Sequence, residues 1–201
     1  DAASSELDIA LASLPLVLAD DFSLATYSDS YLQADVSLRQ VWRERLDQLP
    51  AKYRVGVSWF GGGTPLTRHK RSIPLTQWND LLSVPDVAFV NLQYGPHREE
   101  GLHLYHWNDI DPTRDLEQFA ALLSELDLVI SVDNSTVHLA GALGVPTEVL
   151  LPVVPDWRWG LQSERTHWYQ KMQLIRQTTW NDWSAPVQIA ASRLADRLSA
   201  P

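Results

Sequence analysis

"ISVDNSTVHLAGALGVPTEVLLP", residues Ile130 to Pro152, reads as three elements in succession. An apolar run stops at Asp133. A polar cluster follows, Asp133 to Thr136, with His138 just beyond it. A small-residue segment then ends at Gly144-Val145-Pro146, and a second apolar run begins. Apolar runs of this length bounded by turn residues are strands buried on both faces. The segment between them has a polar N-cap signal at one end and Gly and Pro at the other, the marks of a helix. Strand, helix and strand in this order belong to a parallel sheet covered by helices.

The same alternation extends to both sides. "YRVGVSWF" from Tyr53 is a first strand, followed by Gly61-Gly62-Gly63 and a polar loop, "TPLTRHKRS". "LTQWNDLLSV" is a helix, and "VAFVNLQY" a second strand ending at Gly95-Pro96. Residues 97–114 read as an irregular loop. "LEQFAALLSEL" is a helix with Leu116, Phe119, Leu122 and Leu123 on one face. "LDLVISV" and "TEVLLPV" are the strands on either side of "STVHLAGALG", "MQLIRQ" is a short fifth strand, and "SAPVQIAASRLADRLSA" a closing helix. Upstream, residues 36–49 form an amphipathic helix capped by Asp35, with Leu38, Val41, Trp42, Leu46 and Leu49 on one face. Residues 1–34 are weakly patterned, and "TYSDSYLQAD" reads as a linker anchored by Tyr27 and Tyr31. The expected architecture is α/β: a Rossmann-like parallel sheet with helices on both faces over 51–201, beside an N-terminal extension over 1–50.

Bulk properties narrow the function. The chain has 201 residues, 45% of them hydrophobic and 20% charged, with a net charge of -9. That balance argues against nucleic acid as a partner, which calls for a basic face. No apolar run reaches the roughly 20 residues of a membrane span. With no cysteine, disulfides and thiolate metal sites are excluded, and a cytoplasmic location is the expectation. The chain starts at Asp1 and is expected to be a piece of something longer.

In parallel α/β sheets ligands bind beyond the C-terminal ends of the strands. Four segments qualify: Gly61 to Gly63, Gln93-Tyr94, Asp133 to Thr136, and "VVPDWRWG" after the fourth strand. Glycines let backbone N–H groups approach a ligand, and Arg68, His69, Lys70 and Arg71 follow them in an otherwise acidic chain. The plainer reading is a flexible turn beside a solvated charge patch. Asn134 or Ser135 caps the next helix, whose first N–H groups make an anion site. Capping alone accounts for one of the five polar residues. Asp133 accepts either from sugar hydroxyls or from nearby backbone N–H groups. Nine tryptophans are present; one or two at a site and the rest in the core is the expectation. "DID" at Asp109 to Asp111 and the pair His103 and His106 lack the context of a metal site. There is no G-x-G-x-x-G after the first strand, which weighs against a dinucleotide oxidoreductase.

Taken together, "RVGVSWFGGG…RHKRSIPL", "NLQYG" and "ISVDNSTVHLAGALGVPTEVLLPVVPDWRWG" resemble the C-terminal half of bacterial glycosyltransferases with tetratricopeptide repeats, relatives of O-linked N-acetylglucosamine transferases. "RSIPLTQW", "HWYQKMQLIRQ" and "DWSAPVQIAASRL" fit that group, while Asp133, His138, Leu139, Ala142 and Leu143 are also similar to lipopolysaccharide heptosyltransferases. The resemblance spans about 27–199. It implies the C-terminal domain of a GT-B fold, which binds a nucleotide diphosphate sugar, here expected to be a UDP-sugar, with no metal and no cofactor. Gly61, Gly62, Gly63, Lys70, Arg71, Asn134, Ser135 and Thr136 would bind the diphosphate. Gln93, Tyr94, Asp133 and His138 would lie near ribose, base or sugar. The acceptor, a protein or glycan, and the catalytic base would belong to an N-terminal Rossmann half and helical repeats outside this sequence. A non-catalytic scaffold module on the same fold is the alternative from another class.

Overall fold

The computed structural model describes residues 29–51, 53–101 and 103–199, together with Val17. Five parallel strands form one sheet: β1 (Tyr53–Ser58), β2 (Val87–Asn91), β3 (Leu128–Val132), β4 (Thr147–Leu151) and β5 (Met172–Arg176). Their order is β2-β1-β3-β4-β5, so the strand order reverses between β1 and β3. All five positions of β3 and of β4 are buried, which is why these strands read as unbroken apolar runs.

Among the described residues, α-helices that cover the sheet are α1 (Val36–Asp47), α2 (Pro65–Lys70), α3 (Asn79–Leu82), α4 (Leu116–Ser124), α5 (Ser135–Ala142) and α6 (Ser184–Ser199). On one face Val55, Val57, Ile130 and Leu150 pack with Trp78, Leu81, Val187 and Leu194. On the other, Val90 and Val129 pack with Phe119, Leu123, Trp42 and Leu46. Helix α1 is thus part of the second core. Asp35 caps it by accepting from Leu38 N, as its sequence predicts. Trp42 Nε1 donates to Gln118 Oε1 at 2.9 Å, and Arg39 and Arg43 both reach Glu125, tying α1 to α4.

Several local expectations change. The polar loop at 64–72 contains a helical turn, α2, because Thr64 caps it and Pro65 stands at its first position. The helix over 75–84 opens as a 3-10 turn, Leu75–Trp78, after Pro74, which offers no side-chain cap. The loop over 97–114 begins in a 3-10 segment, Gly95–Gly101, and Tyr105 pairs with Val90. Val41 and Leu116 are exposed, although their spacing puts them with apolar neighbours. Tyr27 lies outside the described residues. Tyr31 does anchor: its N–H and that of Leu32 donate to Ala142 O, and its ring stacks on Tyr169. Four tryptophans, Trp42, Trp59, Trp78 and Trp159, are fully buried core residues.

One carboxylate in the sheet is fully enclosed. Glu148 of β4 is 0% exposed, and its Oε1 accepts from Arg197 Nη2 of α6 at 3.1 Å. Burial, opposed by Arg197, holds its pKa above the ordinary 4.5. A raised acid contributes stability that is complete below its unfolded value and is lost as pH rises through its folded value. Glu148→Gln should therefore gain stability relative to the native chain as pH rises from 4.5 upward. Arg197→Met should cost about 2–3 kcal/mol at pH 7, below the usual figure for a broken buried pair because the guanidinium is partly solvated. Urea denaturation of both variants and the double variant across pH measures this, the double variant recovering most of the loss.

Candidate functional site

The C-terminal ends of β1, β2 and β3 converge at the reversal of strand order, the position where open α/β sheets bind ligands. Two layers of polar side chains lie there, an inner one and an outer one.

The inner layer is a buried hydrogen-bond network. Gln93 Oε1 accepts from Ser58 Oγ at 2.9 Å, Trp59 N at 3.0 Å and Phe60 N at 2.9 Å. Its Nε2 donates to Tyr94 O. Asn134 Oδ1 accepts from Thr136 N at 3.0 Å, capping α5, while its Nδ2 donates to Ser58 Oγ at 2.8 Å. One serine therefore joins the ends of all three strands. Gln93 is 2% exposed, so its side chain faces this network and not the crevice. Asn134 is buried likewise, and Thr136 is 0% exposed with a hydroxyl that has no hydrogen-bond partner. Gln93, expected near ribose or base, and Asn134 and Thr136, expected at the diphosphate, thus have buried side chains that shape the loops at the ends of the strands.

The outer layer, Arg71, Tyr94, Ser135 and His138, is at least partly exposed and surrounds Asp133. Asp133, at the end of β3, is nearly enclosed, and its Oδ2 accepts from Arg71 Nη1 at 3.1 Å. Its Oδ1 lies 4.0 Å from His138 Nε2. The Arg71 side chain also donates from Nη2 to Gly62 O at 2.6 Å. A Cβ on Gly61 would stand 2.8 Å from Arg71 Cγ, so glycine is needed there for the guanidinium to lie flat. Gly63 has φ +101°, which favours glycine at that turn, whereas Gly62 has open space around it. Ser135, exposed at the first turn of α5, donates to Tyr94 Oη at 3.0 Å. First-turn N–H groups lack intrahelical acceptors, and here Asn134 satisfies that of Thr136.

His138 lies one turn along α5. Its ring stacks on Trp159 at 5.2 Å with an interplanar angle of 15°, and its Nδ1 is 3.0 Å from Tyr169 Oη. Burial pushes its pKa below the ordinary 6.5, against the attraction of Asp133. Lys70, expected beside Arg71 at the diphosphate, instead sets its ammonium 5.9 Å from the Trp180 ring, in the loop after β5. Sequence reasoning overlooked Ser58, Trp159 and Tyr169. "VVPDWRWG" marked the loop of Trp159, but no local pattern marks Tyr169 or Ser58.

The rejected metal pairs have structural roles. Asp109 pairs with Arg45, Asp111 accepts from Thr113 N and Oγ1, and His106 Nδ1 lies 3.0 Å from Leu104 O. Among the described residues, no group of three or more His, Cys, Asp or Glu side chains is placed to hold a metal. No helix among them is long and apolar enough to cross a membrane.

A five-stranded parallel sheet covered by helices is the α/β fold that this chain shares with solved GT-B glycosyltransferases. Residues 100–166, which include α4, β3, the Asp133 cluster, α5 and β4, match the sequence model of glycosyltransferase family 9 (heptosyltransferase). Protein FlbA of Caulobacter vibrioides is 31% identical over 176 residues, covering 84% of this chain and 29% of that protein. The ADP-heptose lps heptosyltransferase II of E. coli superposes with a TM-score of 0.55 at 15% identity, over 84% of this chain and 52% of that one. A family 9 glycosyl transferase from Veillonella parvula superposes at 0.56 and 12% identity, over 96% and 60%. An E. coli heptosyltransferase with ADP-2-deoxy-2-fluoro heptose gives 0.53 and 20%, over 98% and 58%. The chain thus spans less than a third of its sequence relative and little more than half of these structures.

Replacing Gln93 by Leu would strand two buried backbone donors, Trp59 N and Phe60 N. It should cost about 3 kcal/mol, read as a lowered urea midpoint with the slope unchanged, whereas Tyr94→Phe should cost under about 1 kcal/mol.

Proposed function

We propose that this chain is the donor-binding half of a metal-independent, inverting glycosyltransferase that holds a nucleoside diphosphate sugar. The observation that carries the reading is that Arg71, held by Asp133, and Ser135, in the first turn of α5 and bonded to Tyr94, both stand at the reversal of strand order. Cation, hydroxyl and helix N-terminus suit a diphosphate, and their electrostatic field would stabilise it as a leaving group. Gly61 and Gly63 would keep the backbone close to that group. Asp133 and His138 would face the sugar side, with Tyr94 at the ribose or base. The acceptor, protein or glycan, and the catalytic base would come from another part of the polypeptide, and the work of the cytoplasm on activated sugars fits such a donor. The resemblance to O-linked N-acetylglucosamine transferases supports a UDP-sugar.

A second reading is favoured by a separate observation. The segment that carries the Asp133 cluster matches family 9, and similar solved chains are heptosyltransferases, one with an ADP sugar. On that reading the donor is an adenine nucleotide sugar and the acceptor a lipopolysaccharide precursor.

Titration of the chain with UDP, GDP, ADP and NAD, followed by tryptophan fluorescence, tests both. UDP selectivity supports the first donor and ADP selectivity the second. Binding of NAD alone sinks the transferase reading, and binding of none, with the fold intact, supports a scaffold module. Ser135→Glu should leave the melting temperature equal or higher, since an acid suits the first turn of a helix. It should weaken nucleoside diphosphate binding at least about tenfold through charge repulsion.

A further inference from the structure

Tyr169 lies in the loop before β5, far in sequence from the Asp133 cluster, yet it meets α5 closely. A Cβ on Gly141 would stand 2.5 Å from the Tyr169 ring, so the ring lies directly on the helix backbone. That contact brings the phenol oxygen to 3.0 Å from His138 Nδ1. We propose that Tyr169, seated against Gly141, is a positioning residue that holds His138 in its Nε2–H tautomer, with that N–H turned toward the Asp133 end of the site.

Three contacts on the ring support this. The carboxylate Oδ1 of Asp133 faces Nε2 at 4.0 Å, and a carboxylate favours an N–H over a lone pair at that place. With the proton on Nε2, Nδ1 is an acceptor and the phenol of Tyr169 donates to it. Burial, with Tyr31 beside it, keeps Tyr169 protonated well above its ordinary range, so the phenol has a proton to give. Trp159 stacks on the imidazole at 15° and fixes the plane in which Nε2 points. Phenol and imidazole thus run in one donor direction, from Tyr169 to His138 and toward Asp133.

Asp133 then has a defined part. One oxygen holds Arg71 and the other faces His138, so a single buried carboxylate orients two donors. Both suit ligand oxygens. In this tautomer His138 carries a proton at Nε2 and cannot remove one there, so it is not a general base at that atom. The consequence for affinity rests on the donor-binding reading; the tautomer does not.

Long-range proton–nitrogen NMR of the 15N-labelled full chain tests the lock without ligand, with His138 assigned by its loss in His138→Gln. The native chain should show a protonated Nε2 and a hydrogen-bonded, unprotonated Nδ1. Tyr169→Phe should move the Nδ1 signal to that of an acceptor without a partner, and Gly141→Ala, which displaces the ring but keeps the hydroxyl, should do the same. Both variants should bind whichever diphosphate the native chain selects roughly three- to tenfold more weakly, the weight of one hydrogen bond. A protonated Nδ1 in the native chain, or an Nδ1 signal unmoved in Tyr169→Phe, overturns the tautomer lock. A moved signal with unchanged affinity overturns the positioning role. If the native chain binds no nucleotide, the donor-binding reading fails and the NMR result alone decides the lock.

Discussion

A carboxylate almost enclosed at the end of a buried strand must be paired, and Asp133 is paired with Arg71 through one oxygen while the other faces His138 at 4.0 Å. Much of the surrounding sequence serves that requirement. The Arg71 guanidinium has to lie across the glycine turn to reach Oδ2, which is why Gly61 has no room for a side chain. The short helix α2 exists to return the chain from Gly63 to Arg71. On the other side, His138 must keep its plane, and Trp159 and Tyr169 hold it from two loops that have no sequence relation to Asp133.

Below that pair, the sheet ends are tied by amides. Parallel strands have no hairpins to register them, so the order of their C-terminal loops has to be set by side chains. Ser58, Gln93 and Asn134 do this with one shared hydroxyl and two amides. The inner network therefore fixes where the loops stand, and the outer residues inherit their positions from it.

The sheet was legible because its strands are buried on both faces and leave unbroken apolar runs, and α5 was legible because Asn134 and Gly144-Val145-Pro146 bracket it. Helix α2 was missed because six residues hold too few turns to set up a period, and Leu116 was placed inward because periodicity does not report what lies opposite a face. At the site, position was easier to read than orientation. Gln93, Asn134 and Thr136 do sit at the ends of the strands, yet their side chains turn inward, and a polar residue in a loop looks the same in sequence whether it binds a ligand or a neighbouring strand. Arg71 could be separated from Lys70 only by the folded turn, which sends one toward Asp133 and the other toward Trp180. Tyr169 was invisible because its meaning depends on the absence of a side chain at Gly141.

Helix α5 has a mechanical aspect as well. At its C-terminal end, Ala142 O receives two N–H groups from Tyr31 and Leu32, and Gly144 leaves only enough space for the backbone of Asp29 to pass. At its N-terminal end stands Ser135, at the crevice. Eight residues of helix make a strut about 12 Å long between these points. The chain that enters the domain at residues 29–32 is thus clamped to one end of the element whose other end meets the crevice. The backbone at residues 29–32 and the hydroxyl of Ser135 are placed relative to each other by one helix, independently of the sheet.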